Sequence, residues 1–446
     1  MGISDRLPKE TDVVVAGGGV LGICVAYWLS AIYEIRVAVV DASRGPAEHE
    51  TYRNTGIIHR PFYLDPDKKR VFAQTSLLSH ALWQDLAREW SLPWRPIGTL
   101  NVALTEKEVR TVERYRDWGL QNGMEEGELQ LKPGTEVERT EPEVRCLAAL
   151  LSKNDVSVDF RKFALQVLAL AERRGVSFTG GFRVTGLVEG PRGTNAICEG
   201  RQGTSSIGCK LLVNAAGGGA LGLAKSCGVG REFAQLNFRG EYWRVDEPFA
   251  SRVTSNVYRP PKHSQFPFLD PHFVVRADGT RQIGPNAVLV SGPYAYQGVG
   301  LRSLKDFVEG PIGPKLEILT DGTFVRLVAS EWRSSISKSA MCARVMKFIP
   351  NLGVENLHGR AVFGVRSSLL DSKGFVPEAV VLPGSHSIHI LNYNSPGATG
   401  APSFSAMVVA KIRDEGLADG FDELVRSEAD STWVFDGALG SSGPSL

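Results

Sequence analysis

The chain has 446 residues, with 50 Lys and Arg against 49 Asp and Glu and a formal net charge of +1. This balance does not favour a nucleic-acid-binding protein, and the absence of any run near 18 apolar residues predicts no transmembrane helix. Six cysteines without a Cys-x-x-Cys pair indicate reduced thiols in a cytoplasmic protein, and no pattern predicts a metal site. Peripheral contact with a membrane is left open.

The first chemically informative feature is the glycine string Gly17-Gly18-Gly19-Val20-Leu21-Gly22. An apolar strand, 12–16, leads into it, and the pattern from 20 to about 32 predicts a helix whose N-terminus faces a phosphate. A second strand, 36–40, ends in Asp41, which follows the last glycine by 19 residues. A separation of about 20 is typical of a carboxylate that binds a ribose hydroxyl. The segment therefore predicts a dinucleotide site.

A second string of the same form, Gly217 to Gly222, follows the apolar segment 211–216. Gly228 stops any helix soon afterwards, so a crossover helix has no room, although a βαβ unit needs about 30 residues. Glu241 also lies 19 residues on, but not at the end of an apolar strand. We predict a strand that returns beside the first site, and hence one dinucleotide site rather than a reductase with two.

The remaining pattern predicts an α/β chain of two domains, in which a discontinuous Rossmann-like cofactor domain holds an inserted antiparallel-sheet substrate domain. The predicted helices are 71–89, 105–118 with Thr105 as N-cap, 160–174, most of 302–349, and 402–413. The predicted strands are 98–104, 176–178, 183–188, several within 235–300, 361–366 and 388–391. The predicted boundaries are 1–60, 145–235 and 355–420 for the cofactor domain, 61–144 and 236–354 for the substrate domain, and 428–446 for a flexible tail.

The loop 49–60 combines hydroxyl, amide and glycine residues with His59, whose imidazole suits proton transfer near neutral pH. The string His49-x-Thr51-x-x-Asn54-Thr55-Gly56-Ile57-Ile58-His59 resembles the HxTxxNSGVIH segment of the L-2-hydroxyglutarate oxidase/dehydrogenase group of FAD-dependent oxidoreductases. That group lies within the D-amino-acid-oxidase and glycerol-3-phosphate-dehydrogenase superfamily. Further agreement, in family order, is found at 238–242, 266–269, 272–273, 284–289, 333–338, 364–366 and 394–399.

The resemblance implies FAD as cofactor and a substrate C–H that donates a hydride to it, while His59 or His272 takes the substrate proton. It also implies that Arg366 clamps a carboxylate through bidentate hydrogen bonds, and Tyr258 is a candidate pocket residue. The candidate cofactor-binding residues are Gly17, Gly19, Val20, Leu21, Gly22, Asp41, Ala42, Thr51, Asn54, Thr55, Gly56, Ala216, Gly217, Ser395, Pro396, Gly397, Ala398 and Thr399.

The chain departs from the family directly after His59. The family continues with Ala-Gly-Ile-Tyr-Tyr, whereas this chain has Arg60-Pro61-Phe62-Tyr63-Leu64, and the next helix lacks the usual Pro-Gly-Ser-Leu-Lys-Ala start. Arg60 adds a cation here and is a candidate substrate-pocket residue, one that would serve a glycerol-3-phosphate-like substrate. The departure leaves open which acid is oxidised.

The leading hypothesis is oxidation of a small anionic 2-hydroxy acid, with oxygen, a quinone or a redox protein as electron acceptor. Oxidation of an amino acid or amine, or of a glycerol-3-phosphate-like compound, is the alternative within the superfamily. A redox relay subunit that keeps FAD without substrate turnover is a hypothesis of another class. Covalent attachment of FAD, with His59 as one conceivable tether, and the oligomeric state stay open.

Overall fold

The computed structural model describes residues 6–190, 193–263, 266, 270–298, 310–424, 433–440 and 446. Its α-helices are α1 (Val20–Ile32), α2 (Glu50–Arg53), α3 (Arg70–Trp90), α4 (Glu106–Gln121), α5 (Gly134–Thr140), α6 (Phe160–Glu172), α7 (Ala220–Ser226), α8 (Ile312–Thr320), α9 (Gly322–Ile336), α10 (Lys338–Val345), α11 (Gly397–Asp414) and α12 (Phe435–Leu439). Its strands are β1 (Val13–Ala16), β2 (Val37–Asp41), β3 (Ile57–Ile58), β4 (Arg95–Pro96), β5 (Thr99–Ala103), β6 (Leu129–Pro133), β7 (Ala148–Ser152), β8 (Val156–Ser157), β9 (Ser177–Gly180), β10 (Phe182–Gly190), β11 (Gly193–Gly200), β12 (Gly203–Cys209), β13 (Leu211–Asn214), β14 (Ala234–Gly240), β15 (Trp243–Val245), β16 (Asn256–Tyr258), β17 (His272–Val275), β18 (Arg281–Gly284), β19 (Val288–Val290), β20 (Leu357–Arg360), β21 (Gly364–Asp371), β22 (Gly374–Phe375), β23 (Val380–Gly384) and β24 (Ser387–Leu391).

A six-stranded sheet in the order β23-β24-β13-β1-β2-β9 forms the centre of the first layer. β1 pairs in parallel with β2 and with β13, where Val13 lies opposite Leu211. β13, the strand before the second glycine string, is thus a direct neighbour of β1, the strand before the first string, as the sequence predicts. The predicted helix 20–32 is also confirmed.

Helices cover this sheet and bury α1 almost completely, because α1 packs against both α6 and α11. The indole N–H of Trp28 donates to the carbonyl of Pro402 at 2.8 Å. α3 also packs on α11, and its Trp83 belongs to the core that includes α1. The sequence-based boundary is wrong here, since 61–144 was assigned to the substrate domain although its first helix packs with the cofactor-binding layer.

The predicted flexible tail is likewise wrong over residues 433–440. This segment carries α12, and Trp433 is buried with ring centroids 5.3 Å from Tyr27 and 5.5 Å from Trp83. A polar sequence surrounds the two aromatic residues Trp433 and Phe435, but an aromatic groove of the core accepts both. Large aromatic burial offsets the entropy of ordering such a segment.

The second layer consists mainly of antiparallel strands. An eight-stranded sheet has the order β20-β15-β18-β17-β16-β5-β7-β6, and a four-stranded sheet has the order β19-β14-β21-β22. These sheets place Tyr258 at the end of β16, His272 at the start of β17 and Arg366 within β21. β21 covers residues 364–371, so the predicted strand 361–366 was placed too early. The predicted mixed α/β fold is confirmed.

Four predicted segments lie partly outside the described residues. They are 267–269 of one family motif, 264–265 and 299–300 of the strand-rich region, 302–309 of the predicted helical region, and 428–432 and 441–445 of the predicted tail. The N-cap of α4 is as predicted, since the Thr105 hydroxyl accepts a hydrogen bond from the Glu108 N–H. Among the helices of the described ranges, none is long and apolar enough to cross a membrane.

Candidate active site

A cavity of about 940 Å³ lies between the parallel sheet and the antiparallel layer. Ligand sites typically measure about 300–1,000 Å³, so this cavity has room for an extended ligand. The predicted site residues that line it are Gly17, Gly19, Val20, Leu21, Asp41, Ala42, Thr51, Asn54, Thr55, His59, Ala216, Gly217, Tyr258, His272, Arg366, Ser395, Pro396, Gly397, Ala398 and Thr399. Gly22, Gly56 and Arg60 are not part of its lining.

The first glycine string is a tight turn that requires glycine. Gly17 has φ +112°, and a Cβ there would lie 2.4 Å from the carbonyl oxygen of Ala215. A Cβ on Gly22 would lie 2.0 Å from the carbonyl oxygen of Gly17, so Gly22 acts through close packing of α1 on β1. The first-turn N–H groups of α1 have no helical acceptor, and Thr51 Oγ1 accepts the one from Val20 at 2.9 Å. The helix start thus faces the cavity as an anion site.

The second glycine string also lines the cavity, without repeating this geometry. Gly217–Gly219 form a 3-10 turn, and α7 has seven residues. A Cβ on Gly222 would meet no atom within 4 Å. This string is therefore a turn beside the first site.

Asp41 holds the loop that follows β2 in place. Its Oδ2 accepts the Gly18 N–H at 2.6 Å, and its Oδ1 accepts the Ser43 N–H at the same distance. The carboxylate keeps lone pairs toward the cavity, as its predicted role at a ribose hydroxyl requires.

A hydrogen-bonded chain that sequence reasoning missed runs along the cavity wall through Ser43, His49, Tyr296 and Glu50. The His49 ring bonds Ser43 Oγ at 2.7 Å and Tyr296 Oη at 2.9 Å, and Tyr296 donates to Glu50 Oε1 at 3.1 Å. The Val365 N–H donates to Glu50 Oε2 at 3.0 Å. Removal from bulk solvent raises the pKa of the Glu50 carboxyl to about 7. His49, a residue of the family motif, was the only sequence signal for this chain of contacts.

His59 is oriented by a buried carboxylate. Its Nδ1–H donates to Asp155 Oδ2 at 3.1 Å, and Asp155 also accepts from Thr99 Oγ1, Ser152 Oγ and the Arg60 N–H. Asp155 is fully buried, and these four donors use its full accepting capacity. The contact fixes the tautomer of His59 that leaves Nε2 as a lone-pair acceptor at the cavity, as a general base requires.

His272 and Tyr258 form a stacked pair beside His59. Their ring centroids are 3.8 Å apart, and Tyr258 lies 5.7 Å from His59. Neither ring nitrogen of His272 nor the Tyr258 hydroxyl has a hydrogen-bond partner among the described residues. Burial, reinforced by the neighbouring His59, lowers the pKa of His272 to about 3, so this ring stays neutral. Buried polar atoms without partners are costly, and a bound substrate would satisfy them.

Arg366 extends from β21, opposite Phe238 of β14, into the same cavity. Burial lowers the pKa of its guanidinium, while the neighbouring Tyr242, Tyr63 and Glu50 raise it. An arginine keeps its charge in any such setting. The cavity thus combines a fixed cation, a positioned base and neutral hydrogen-bonding groups.

Two candidates occupy other positions than predicted. The Arg60 guanidinium pairs with Glu128 at 3.0 Å, because Arg60 follows His59 in extended backbone and projects to the opposite side. It is not part of the cavity lining. Gly56, with φ +73°, packs where a Cβ would lie 2.6 Å from the Val158 carbonyl oxygen, so its role is in the turn.

The predicted turn before the last helix delivers a second helix N-terminus to the cavity. α11 begins at Gly397, and Thr399 Oγ1 accepts the His59 N–H at 3.2 Å. The Trp83 indole holds the Thr399 carbonyl at 2.8 Å. With the start of α1, this gives two positive helix ends along one cavity, which fits a ligand with a diphosphate and a second electron-rich group.

The profile described as FAD dependent oxidoreductase (DAO) matches residues 12–412. Human mitochondrial L-2-hydroxyglutarate dehydrogenase is 26% identical over 424 residues, with 90% of this chain and 88% of that protein covered. The L-2-hydroxyglutarate dehydrogenase of Escherichia coli K12 is 27% identical over 411 residues, with coverages of 90% and 93%.

Solved structures agree on the fold. Reduced L-alpha-glycerophosphate oxidase from Mycoplasma pneumoniae, with FAD bound, has a TM-score of 0.71 at 20% identity and covers 94% of this chain and 97% of its own. Glycine oxidase from Geobacillus kaustophilus has a TM-score of 0.67 at 16% identity, with coverages of 95% and 98%. At such identities the likeness establishes the fold alone.

Proposed function

Because this chain belongs to the family of FAD dependent oxidoreductases, we propose that it oxidises a small anionic 2-hydroxy acid, of the L-2-hydroxyglutarate kind, to the 2-oxo acid. The observation that carries the proposal is that one cavity brings together Arg366, a cation for the carboxylate, and His59, a base oriented by Asp155. The relatives named for L-2-hydroxyglutarate support the choice of a hydroxy acid.

FAD is the cofactor, and when bound it supplies a ring that accepts a hydride. The start of α1 and the glycine turn would hold its diphosphate, Asp41 its ribose, and the start of α11 the ring end. The glycine turn and the positive ends of both helices fit such a ligand.

His59 would take the proton of the substrate hydroxyl on Nε2 as the C–H electron pair leaves, so that the carbinol becomes a carbonyl. Asp155 stabilises the imidazolium that results, because it already accepts from Nδ1–H. Neutral His272 and Tyr258 are suited to hydrogen-bond the hydroxyl and do not compete for its proton. Arg366 would bind the carboxylate at both oxygens and so fix the reacting carbon.

Loss of FAD is expected when alanine replaces Gly22. The added Cβ would lie 2.0 Å from the Gly17 carbonyl, so the diphosphate turn must shift. The matched control is Gly222→Ala in the second string, where a Cβ meets open space. Flavin content per purified chain is the measurement, with a near-full value for the control. Equal flavin in both variants would contradict a single cofactor site at the first string.

An anaerobic screen tests the proposed chemistry. The holoenzyme is mixed with 2-hydroxy acids, amino acids and N-alkyl glycines, and glycerol 3-phosphate, and the visible flavin absorbance is followed. We expect bleaching by a 2-hydroxy acid, and re-oxidation by oxygen, a quinone or a redox protein then identifies the acceptor. Bleaching only by amines, with imine or ammonia formed, would replace the proposal by amine oxidation. Arg60 no longer supports a phosphate substrate, since it pairs with Glu128.

A further inference from the structure

The cavity carries far more positive charge than the chain as a whole. Among the described residues its charged lining comprises the cations Arg53, Lys68, Lys69, Lys107, Arg114, Arg183, Arg259, Lys262 and Arg366 and the carboxylates Asp41, Glu48, Glu50 and Asp65. The whole chain has a formal net charge of +1. A diphosphate at the start of α1 would account for part of this excess.

Lys69 is the cation whose position is hardest to explain by folding alone. It is the N-cap residue of α3, where a positive side chain opposes the helix dipole. Its side chain is half-buried and faces the cavity, and its Nζ has no hydrogen bond or ion pair within the described ranges. Burial, and then the charge of Arg366, lower the pKa of this amine, while the carboxylates of Glu378 and Asp65 act in the opposite direction. Lys69 and Arg366 both line this cavity.

The carboxylates near Lys69 are already committed elsewhere. Glu378 accepts the N–H groups of Val71 at 2.9 Å and Phe72 at 3.2 Å, and so caps α3. Asp65 Oδ1 accepts the N–H groups of Asp67 and Lys68. Neither carboxylate lies within ion-pair distance of Lys69. A half-buried amine that the protein does not pair is one that an anionic ligand would stabilise.

We propose that Lys69 is a specificity-determining residue that binds a second anionic group of the substrate, while Arg366 binds the carboxylate beside the reacting carbon. The inference rests on the proposed function, and it selects dianions, with a distal carboxylate or phosphate, over 2-hydroxy acids with a single charge. Lys69 belongs to the segment in which this chain departs from the family pattern, so the preference is a property of this chain's own residues.

The test uses ligands that are not oxidised. Wild-type holoenzyme, Lys69→Met and the control Arg70→Met are titrated with α,ω-dicarboxylates from malonate to adipate, with monocarboxylates of equal length, and with 3-phosphonopropionate. Binding is read from the flavin absorption spectrum. Arg70 is a matched control because it is exposed, lies next to Lys69 at the same helix start and does not line the cavity.

In the wild type and in Arg70→Met, we expect one dianion to bind about 10- to 100-fold more tightly than its monocarboxylate, as a charged hydrogen bond provides. Lys69→Met should lose this preference, and Lys69→Arg should restore much of it. Tighter binding of the phosphonate than of every dicarboxylate would identify a phosphate as the distal group.

A preference that survives in Lys69→Met, or no preference in the wild type, would overturn the inference. Equal weakening of monocarboxylates and dianions in Lys69→Met would also overturn it, because it would indicate a structural role. The proposed oxidation of a 2-hydroxy acid can fail separately from the role of Lys69. It fails if no 2-hydroxy acid reduces the flavin although the Lys69-dependent preference is present.

Discussion

Replacing Arg366 with methionine is expected to weaken binding of the carboxylate substrate by about 30- to 3,000-fold, because truncating one partner of a buried, hydrogen-bonded charge pair costs about 2–5 kcal/mol. Arg366 lies on β21 and lines the cavity, and it is not among the contacts of the first glycine turn. Flavin content should therefore be retained. Rapid-mixing measurements of flavin reduction against substrate concentration give the dissociation constant and the limiting rate separately.

Arg366→Lys is the informative companion variant. A lysine keeps the charge and loses the planar fork that binds both carboxylate oxygens, so we expect an intermediate affinity. An unchanged dissociation constant in Arg366→Met would contradict the clamp. Loss of flavin in the same variant would mean that Arg366 supports the cofactor site instead.

Replacing His59 with glutamine is expected to lower the limiting rate of flavin reduction by about 10²- to 10⁴-fold, the usual contribution of a general base. Substrate affinity should change much less, since Arg366 provides the main charge contact. Asp155→Asn should also lower the limiting rate of flavin reduction, because an amide in place of the carboxylate no longer stabilises an imidazolium at His59.

His272→Gln is the matched control for His59→Gln. The pKa of His272 is lowered to about 3 by burial, so its ring does not take up the substrate proton near neutral pH. We expect a smaller loss of rate than in His59→Gln. A larger loss of rate in His272→Gln than in His59→Gln would reverse the assignment of the base.

The sequence was most informative where chemistry depends on local spacing. The first strand–turn–helix–strand unit, its glycines and Asp41 are one continuous stretch, and the structure places the predicted elements within about a residue of their predicted bounds. The sequence also predicted that the second string does not form a dinucleotide site, since Gly228 leaves too little chain for a crossover helix. Local patterns of this kind predict structure without any tertiary information.

Contacts between distant segments were beyond sequence reasoning. Asp155 is 96 residues from His59 and meets it because β3 pairs with β8, which begins just after Asp155. Tyr296 reaches Glu50 across 246 residues. The direction of the Arg60 side chain was mispredicted for a related reason. In an isolated extended segment, that direction depends on residues that are distant in the sequence. Here the ion pair with Glu128 sets it.

The most direct test of the central claim is a single anaerobic turnover with the product identified. We predict that the 2-hydroxy acid which bleaches the flavin yields one equivalent of the corresponding 2-oxo acid per flavin reduced, without ammonia, and that deuterium at its C2 slows the reduction. Failure of every 2-hydroxy acid to reduce the flavin, while an amine does so with release of ammonia or an aldehyde, would contradict the account.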